Sequence, residues 1–244
     1  MQLTDILSLK SEPESRNIIA EFLTKNLVQF EYERALLTYV KIANELEIFE
    51  LGLKETTKYL KTIEDKKATK YRVNIYAELF IAALNIGDFK KAKEFILKRK
   101  ELLPQLEQYK ALLDEVELRK ALKDDYLDVL LNLKREIIPK DILIHVNEEL
   151  LNYYTDKGNY EKCEDIINDL FELTINYKYL NELVKIYYLE EKYELVISEV
   201  EKLISQNAHN LYSIVYYIAS LRITKKFRKA NSVEAEYENA IDNN

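Results

Sequence analysis

The chain is short of the residues that most folds and most enzymes need. Its 244 residues include only three glycines, three prolines, one cysteine and two histidines. Sheet folds closed by tight turns use glycine freely, so this scarcity argues against them. No glycine lies in a G-x-G-x-x-G or G-x-x-x-x-G-K-[ST] setting, which excludes the common phosphate-cradling loops. Cys163 has no second cysteine to bond, and His145 and His209 lie far apart with no H-E-x-x-H pattern, so no metal or other cofactor is expected. No apolar run approaches the roughly 18 residues of a membrane span. The opening stretch MQLTDILSLKSEPES is too polar for a secretory signal. A cytoplasmic location without membrane insertion is therefore expected.

What remains is helix-forming. Hydrophobic residues make up 48% and charged residues 32%, enough apolar surface to fold and enough charge to stay in solution. The net charge of −7 argues against a nucleic-acid partner held by phosphate neutralisation. Abundant Asn, Lys, Ile and Tyr suit an A+T-rich bacterial genome.

An aromatic residue recurs along this helical background as Phe49, Phe89, Tyr126, Tyr160, Tyr193 and Phe227, at intervals of 40, 37, 34, 33 and 34 residues. Three residues after each stands Gly52, Ala92, Val129, Cys163, Val196 or Ala230, all small or medium. Ten before each stands Tyr39, Leu79, Val116, Leu150, Leu183 or Tyr217, all apolar or aromatic. Steps of three and four residues on either side of the aromatic mark one face of a helix. Each unit therefore reads as helix, short turn, helix. Gly87 and Gly158 suit the end of a first helix, and Pro104 and Pro139 suit the break between one hairpin and the next.

This pattern resembles the tetratricopeptide repeat (TPR), a 34-residue helix–turn–helix unit. The nearest match is residues 73 to 106, where Gly87, Asp88, Phe89, Ala92 and Pro104 fall on the family's turn, packing and closing positions. The array is divergent: Val40, Phe80, Glu117, Leu151, Val184 and Ile218 replace the family's small residue in mid first helix. Thr56, Lys120, Asn147 and Glu234 interrupt apolar positions. The resemblance implies an all-α, right-handed α-solenoid of about six repeats over residues 29–241. Residues 1–28 are expected to add helices that pack on this array.

Stacked hairpins of this family leave the first helices along a concave groove that holds another protein or a peptide. Carried onto this register, the groove candidates are Asn74 and Glu78, then His145, Glu149 and Asn152, then Lys178, Asn181 and Lys185. Tyr188, Tyr212 and Tyr216 complete the set, because exposed tyrosines offer large contact area at small entropic loss. Some TPR adaptors clamp a peptide carboxylate with Lys, Asn and Arg on these faces. Lys178, Asn181 and Lys185 form such a ridge, opposed by Glu148, Glu149 and Glu182. Cys163 occupies a packing position and reads as a buried small hydrophobe rather than a nucleophile. The basic cluster TKKFRK at 224–229 reads as a turn and helix start balanced by Glu234, Glu236 and Glu238. The expected role is a non-enzymatic scaffold for a protein or peptide. A peptide-responsive sensor, similar to the quorum-sensing regulators of Gram-positive bacteria without their DNA-binding part, is the alternative.

Overall fold

The computed structural model describes residues 33–63, 68 and 70–241. The helices expected within residues 1–28 lie outside the described residues. Among those described there are twelve α-helices and no strand. The expected array divides after Ile138 into two compact units, and each is taken by itself. The first contains α1 (Glu33–Glu45), α2 (Phe49–Lys61), α3 (Lys70–Asn85), α4 (Phe89–Leu102), α5 (Tyr109–Leu122) and α6 (Leu127–Arg135). The second contains α7 (Lys140–Asp156), α8 (Tyr160–Thr174), α9 (Lys178–Leu189), α10 (Tyr193–Ser205), α11 (Leu211–Ile223) and α12 (Phe227–Ile241).

The recurring aromatic opens the second helix of five hairpins and directly precedes it in the sixth, at Tyr126. Just before it, the first helix ends on a residue in the left-handed region: Glu47, Gly87, Lys123, Gly158, Glu191 or Lys225. The amide after that residue returns to the carbonyl five back, as Asp88 N–H does to Ala83 at 2.9 Å. The left-handed residue's own amide returns to the carbonyl three back, as Gly87 N–H does to Leu84 at 3.1 Å. The same two bonds recur in all six elbows and satisfy carbonyls that the helix end would otherwise leave unpaired. In the third elbow the left-handed residue stands three, not two, before the aromatic. The extra residue lets the Asp125 carboxylate accept from Leu127 N–H at 2.9 Å and so start α6.

Helix packing follows from the small residues three beyond each elbow. Gly52, Ala92, Val129, Cys163, Val196 and Ala230 are all buried in the seam between the two helices of their hairpin. At Gly52 the approach is so close that an added Cβ would stand 2.7 Å from the Ala43 Cβ. Opposite them Tyr39, Leu79, Val116, Leu150, Leu183 and Tyr217 are buried as well. Burial of side chains this size stabilises by about 1.5–3 kcal/mol each. First helices of successive hairpins also pack directly: α1 on α3 and α3 on α5 in the first unit, α9 on α11 in the second. The 37-residue interval has a visible cause: a 3-10 turn, Gln105–Glu107, follows Pro104.

One charged pair is tied inside the first unit. Arg72 on α3 donates from Nε to Glu33 on α1 at 2.9 Å and from Nη2 to the Ile63 carbonyl at 3.0 Å, with both charged side chains buried. Removing one partner of such a pair leaves an uncompensated charge, a loss of about 3–5 kcal/mol. Two of the interrupting residues, Thr56 and Asn147, are buried and leave an oxygen without a hydrogen bond.

The elbow geometry yields a paired test. Nothing lies within 4 Å of a Cβ built on Gly87, so Gly87→Ala carries only the left-handed backbone cost. It should lower unfolding stability by about 1 kcal/mol. Glu191→Gly should raise stability, by about 0.5 kcal/mol after the added freedom of the unfolded chain. Urea titrations check both, and shifts of the same sign would contradict the account.

Candidate functional site

The second unit holds a cleft of about 410 Å³ between α7 and α9. It opens because these two first helices approach each other less closely than α9 and α11 do. The α7 wall carries His145, Glu148, Glu149, Leu151, Asn152 and Thr155, and the α9 wall carries Lys178, Tyr179, Glu182, Lys185 and Ile186. Helical spacing sets this up. Positions 145, 149 and 152 share one stripe of α7, while 178, 182 and 185 share one stripe of α9.

One carboxylate staples the two walls. Glu148 Oε1 accepts from Lys178 Nζ at 2.9 Å and from the Tyr179 hydroxyl at 2.7 Å. The Lys178 ammonium also stands 4.5 Å from the centre of the Tyr179 ring. The Tyr179 hydrogen bond, reinforced by Lys178, holds the Glu148 carboxyl below its ordinary pKa. Burial of Tyr179 pushes its phenol up, and the Glu148 bond holds the Lys178 ammonium above its usual range. Lys185 stands 3.9 Å from Glu182 on its own helix, a loose and solvent-exposed pair. The rim is therefore a ridge of two cations flanked by three carboxylates. The cleft thus presents exposed groups of both charge signs.

The structure brings five of the sequence candidates, His145, Glu149, Asn152, Lys178 and Lys185, into this one cleft. Asn181 is not available to a partner. It is 8% exposed, and its amide donates to the Tyr177 and Ala208 carbonyls, each at 2.9 Å. Its oxygen accepts from Asn210 N–H at 3.0 Å and from the Ser213 hydroxyl at 2.5 Å. Asn181 thus pins the start of α11 to α9. Tyr188 and Tyr216 meet as tilted rings 4.9 Å apart across α9 and α11, and Tyr193 leans on Tyr188 at 5.7 Å. Tyr212, on the face of α11 shared with Tyr216, is 77% exposed. In the first unit, Asn74 is exposed, whereas Glu78 accepts from Asn44 Nδ2 at 3.0 Å and ties α1 to α3.

The remaining reactive residues are tied into packing. Cys163 is fully buried and its thiol is pushed up by that burial. Lys226 and Lys229 of the basic cluster pair with Glu194 and Glu201 at 2.6 and 2.7 Å, fastening the turn before α12 and its first turn to α10. Among the described residues no group of three or more His, Cys, Asp and Glu side chains is placed to hold a metal. Among them, too, no helix is long and apolar enough to cross a membrane. Sequence reading missed Glu148 and Tyr179 as a pair, since they stand 31 residues apart and neither belongs to a local motif.

No family model and no curated protein matches the chain. Solved structures do. One, from the functional characterization of Pseudomonas aeruginosa pilF, aligns with a TM-score of 0.52 at 13% identity, covering 85% of this chain and 91% of that one. A TPR repeats protein from Bacteroides fragilis NCTC 9343 aligns with a TM-score of 0.41 at 12% identity, covering 86% and 100%. The first likeness, joined to the six repeated elbows, shows the fold: this is an all-α, TPR-like helical-repeat protein.

The staple carries a pH signature. A carboxylate whose folded pKa is depressed contributes stability above its unfolded value, about 4.3 for Glu, and loses it as pH falls through the folded value. Tyr179→Phe should therefore move the Glu148 titration upward, and its stability difference from wild type should shrink as pH drops into that range. Carbon-detected NMR of the side-chain carboxyls checks this, and an unmoved Glu148 titration would contradict it.

Proposed function

We propose that this chain is a non-catalytic binding module that holds a protein or peptide against α7 and α9 of its second unit. The observation that carries the reading is the cleft itself. Its walls come from first helices, the elements a helical-repeat protein leaves free of its own hairpin seams, and they carry exposed groups of both charge signs around partly apolar depths. The buried faces of the same helices are already committed to packing, so the free stripe is what a partner meets. Tyr212 and Tyr216 extend the face along α11 with large, partly rigid contact area. A segment with mixed charge and a few apolar side chains fits these walls better than a uniform polyanion, which Glu148, Glu149 and Glu182 repel.

The test is selection of peptides from a random displayed library on the full chain, followed by titration of the enriched sequences by calorimetry. Lys185→Glu and Asn152→Ala should each weaken binding, the charge reversal by at least about tenfold. Solution scattering at saturation should show an unchanged radius of gyration. A changed radius would favour the peptide-responsive sensor, and binding indifferent to both substitutions would overturn the site.

A further inference from the structure

A second feature lies in the first unit, on the second helices of its first two hairpins. Basic and acidic residues balance over residues 1–138, so the whole net charge of −7 belongs to residues 139–244. Within the balanced part, α2 and α4 carry nine basic against four acidic side chains. They face each other across two adjoining hollows of about 450 and 210 Å³ that share Thr57, Lys61 and Lys91. The lining is apolar at Leu53, Leu60 and Phe95, and lysines from both helices rim it.

The polar groups here are unequally satisfied. Among the described residues Lys54 and Lys61 make no ion pair, whereas Lys91 meets only Asp88, at its own helix start, at 2.8 Å. That exposed pair contributes little and exchanges readily for another carboxylate. The Thr57 hydroxyl, common to both hollows, is buried without a hydrogen-bond partner.

We infer that the α2–α4 groove is an anion-recognising docking site for an acidic peptide segment of a protein partner. Ligand carboxylates meet Lys54, Lys61 and Lys91, whose ammonium groups rim the hollows. Apolar side chains between those carboxylates fill the strip formed by Leu53, Leu60 and Phe95. The apolar strip selects a peptide over a phosphodiester chain. This site is separate from the α7–α9 cleft and stands or falls independently of it.

The experiment is fluorescence anisotropy of the full chain with a labelled peptide alternating Glu with Leu, beside its Gln counterpart. The Glu peptide should bind, and more weakly as salt rises from about 0.01 M to about 0.15 M, where the screening length falls from about 30 Å to about 8 Å. The Gln peptide should bind at least about tenfold more weakly. The double variant Lys54→Glu/Lys61→Glu, checked for native circular dichroism, should lose at least about tenfold in affinity. Lys162→Glu, at an exposed position of α8 in the other unit, should leave binding unchanged. Equal binding of the Gln peptide, or indifference to the double reversal, would overturn the proposal. So would displacement of the peptide by oligothymidylate or phosphatidylserine vesicles at lower charge-equivalent concentration. Self-association abolished by the double reversal would assign the groove to a second copy instead, and would equally overturn it.

Discussion

The left-handed turn that ends each first helix is the constraint on which the structure rests. Two backbone hydrogen bonds close it, and together they return the chain at a fixed angle while satisfying carbonyls a helix end would expose. Because the return angle is fixed, the residue three beyond the following aromatic always arrives at the point of closest approach. That position must then be small or compact, as Gly52, Ala92, Cys163 and Ala230 are. Backbone geometry thus dictates side-chain size one helical turn later. The seam so formed buries one stripe of each helix and leaves another stripe of every first helix uncommitted.

Much of this was legible in the sequence, because the signals are local. The aromatic spacing, the small residue after it and the apolar residue ten before it lie within one hairpin, where helical periodicity relates them directly. Glycine was a poor marker of the elbow by comparison. Only Gly87 and Gly158 occupy it, and Glu47, Lys123, Glu191 and Lys225 accept the same strained conformation, held there by the two hydrogen bonds. The backbone enforces what the side chain does not favour.

What the sequence hid is non-local. Asn181 was placed on an open face because the register counts positions within one helix, whereas its neighbours come from the next hairpin. The position twelve before the aromatic turns sideways. There Glu148 bonds to α9 and Asn181 to the chain entering α11. In the hairpin of α11 and α12 the same position holds Val215, which is 44% exposed. The Glu33–Arg72 pair spans 39 residues and leaves no local trace. The tyrosine surplus also has a structural part: Tyr179, Tyr187 and Tyr217 each donate a hydroxyl to a glutamate on another helix. A large ring fills a seam while its hydroxyl reaches a carboxylate at the edge.

The dependence of the whole on its elbows is most directly measured by native-state hydrogen exchange at six amides: Ile48, Asp88, Asp124, Asn159, Lys192 and Lys226. Each follows the left-handed residue and donates to the carbonyl five residues back. Within each compact unit these amides should be protected together with the helix interiors, and should open with them as denaturant rises. Exchange of these amides at the rate of unprotected loop amides, while the helices stay protected, would contradict the account.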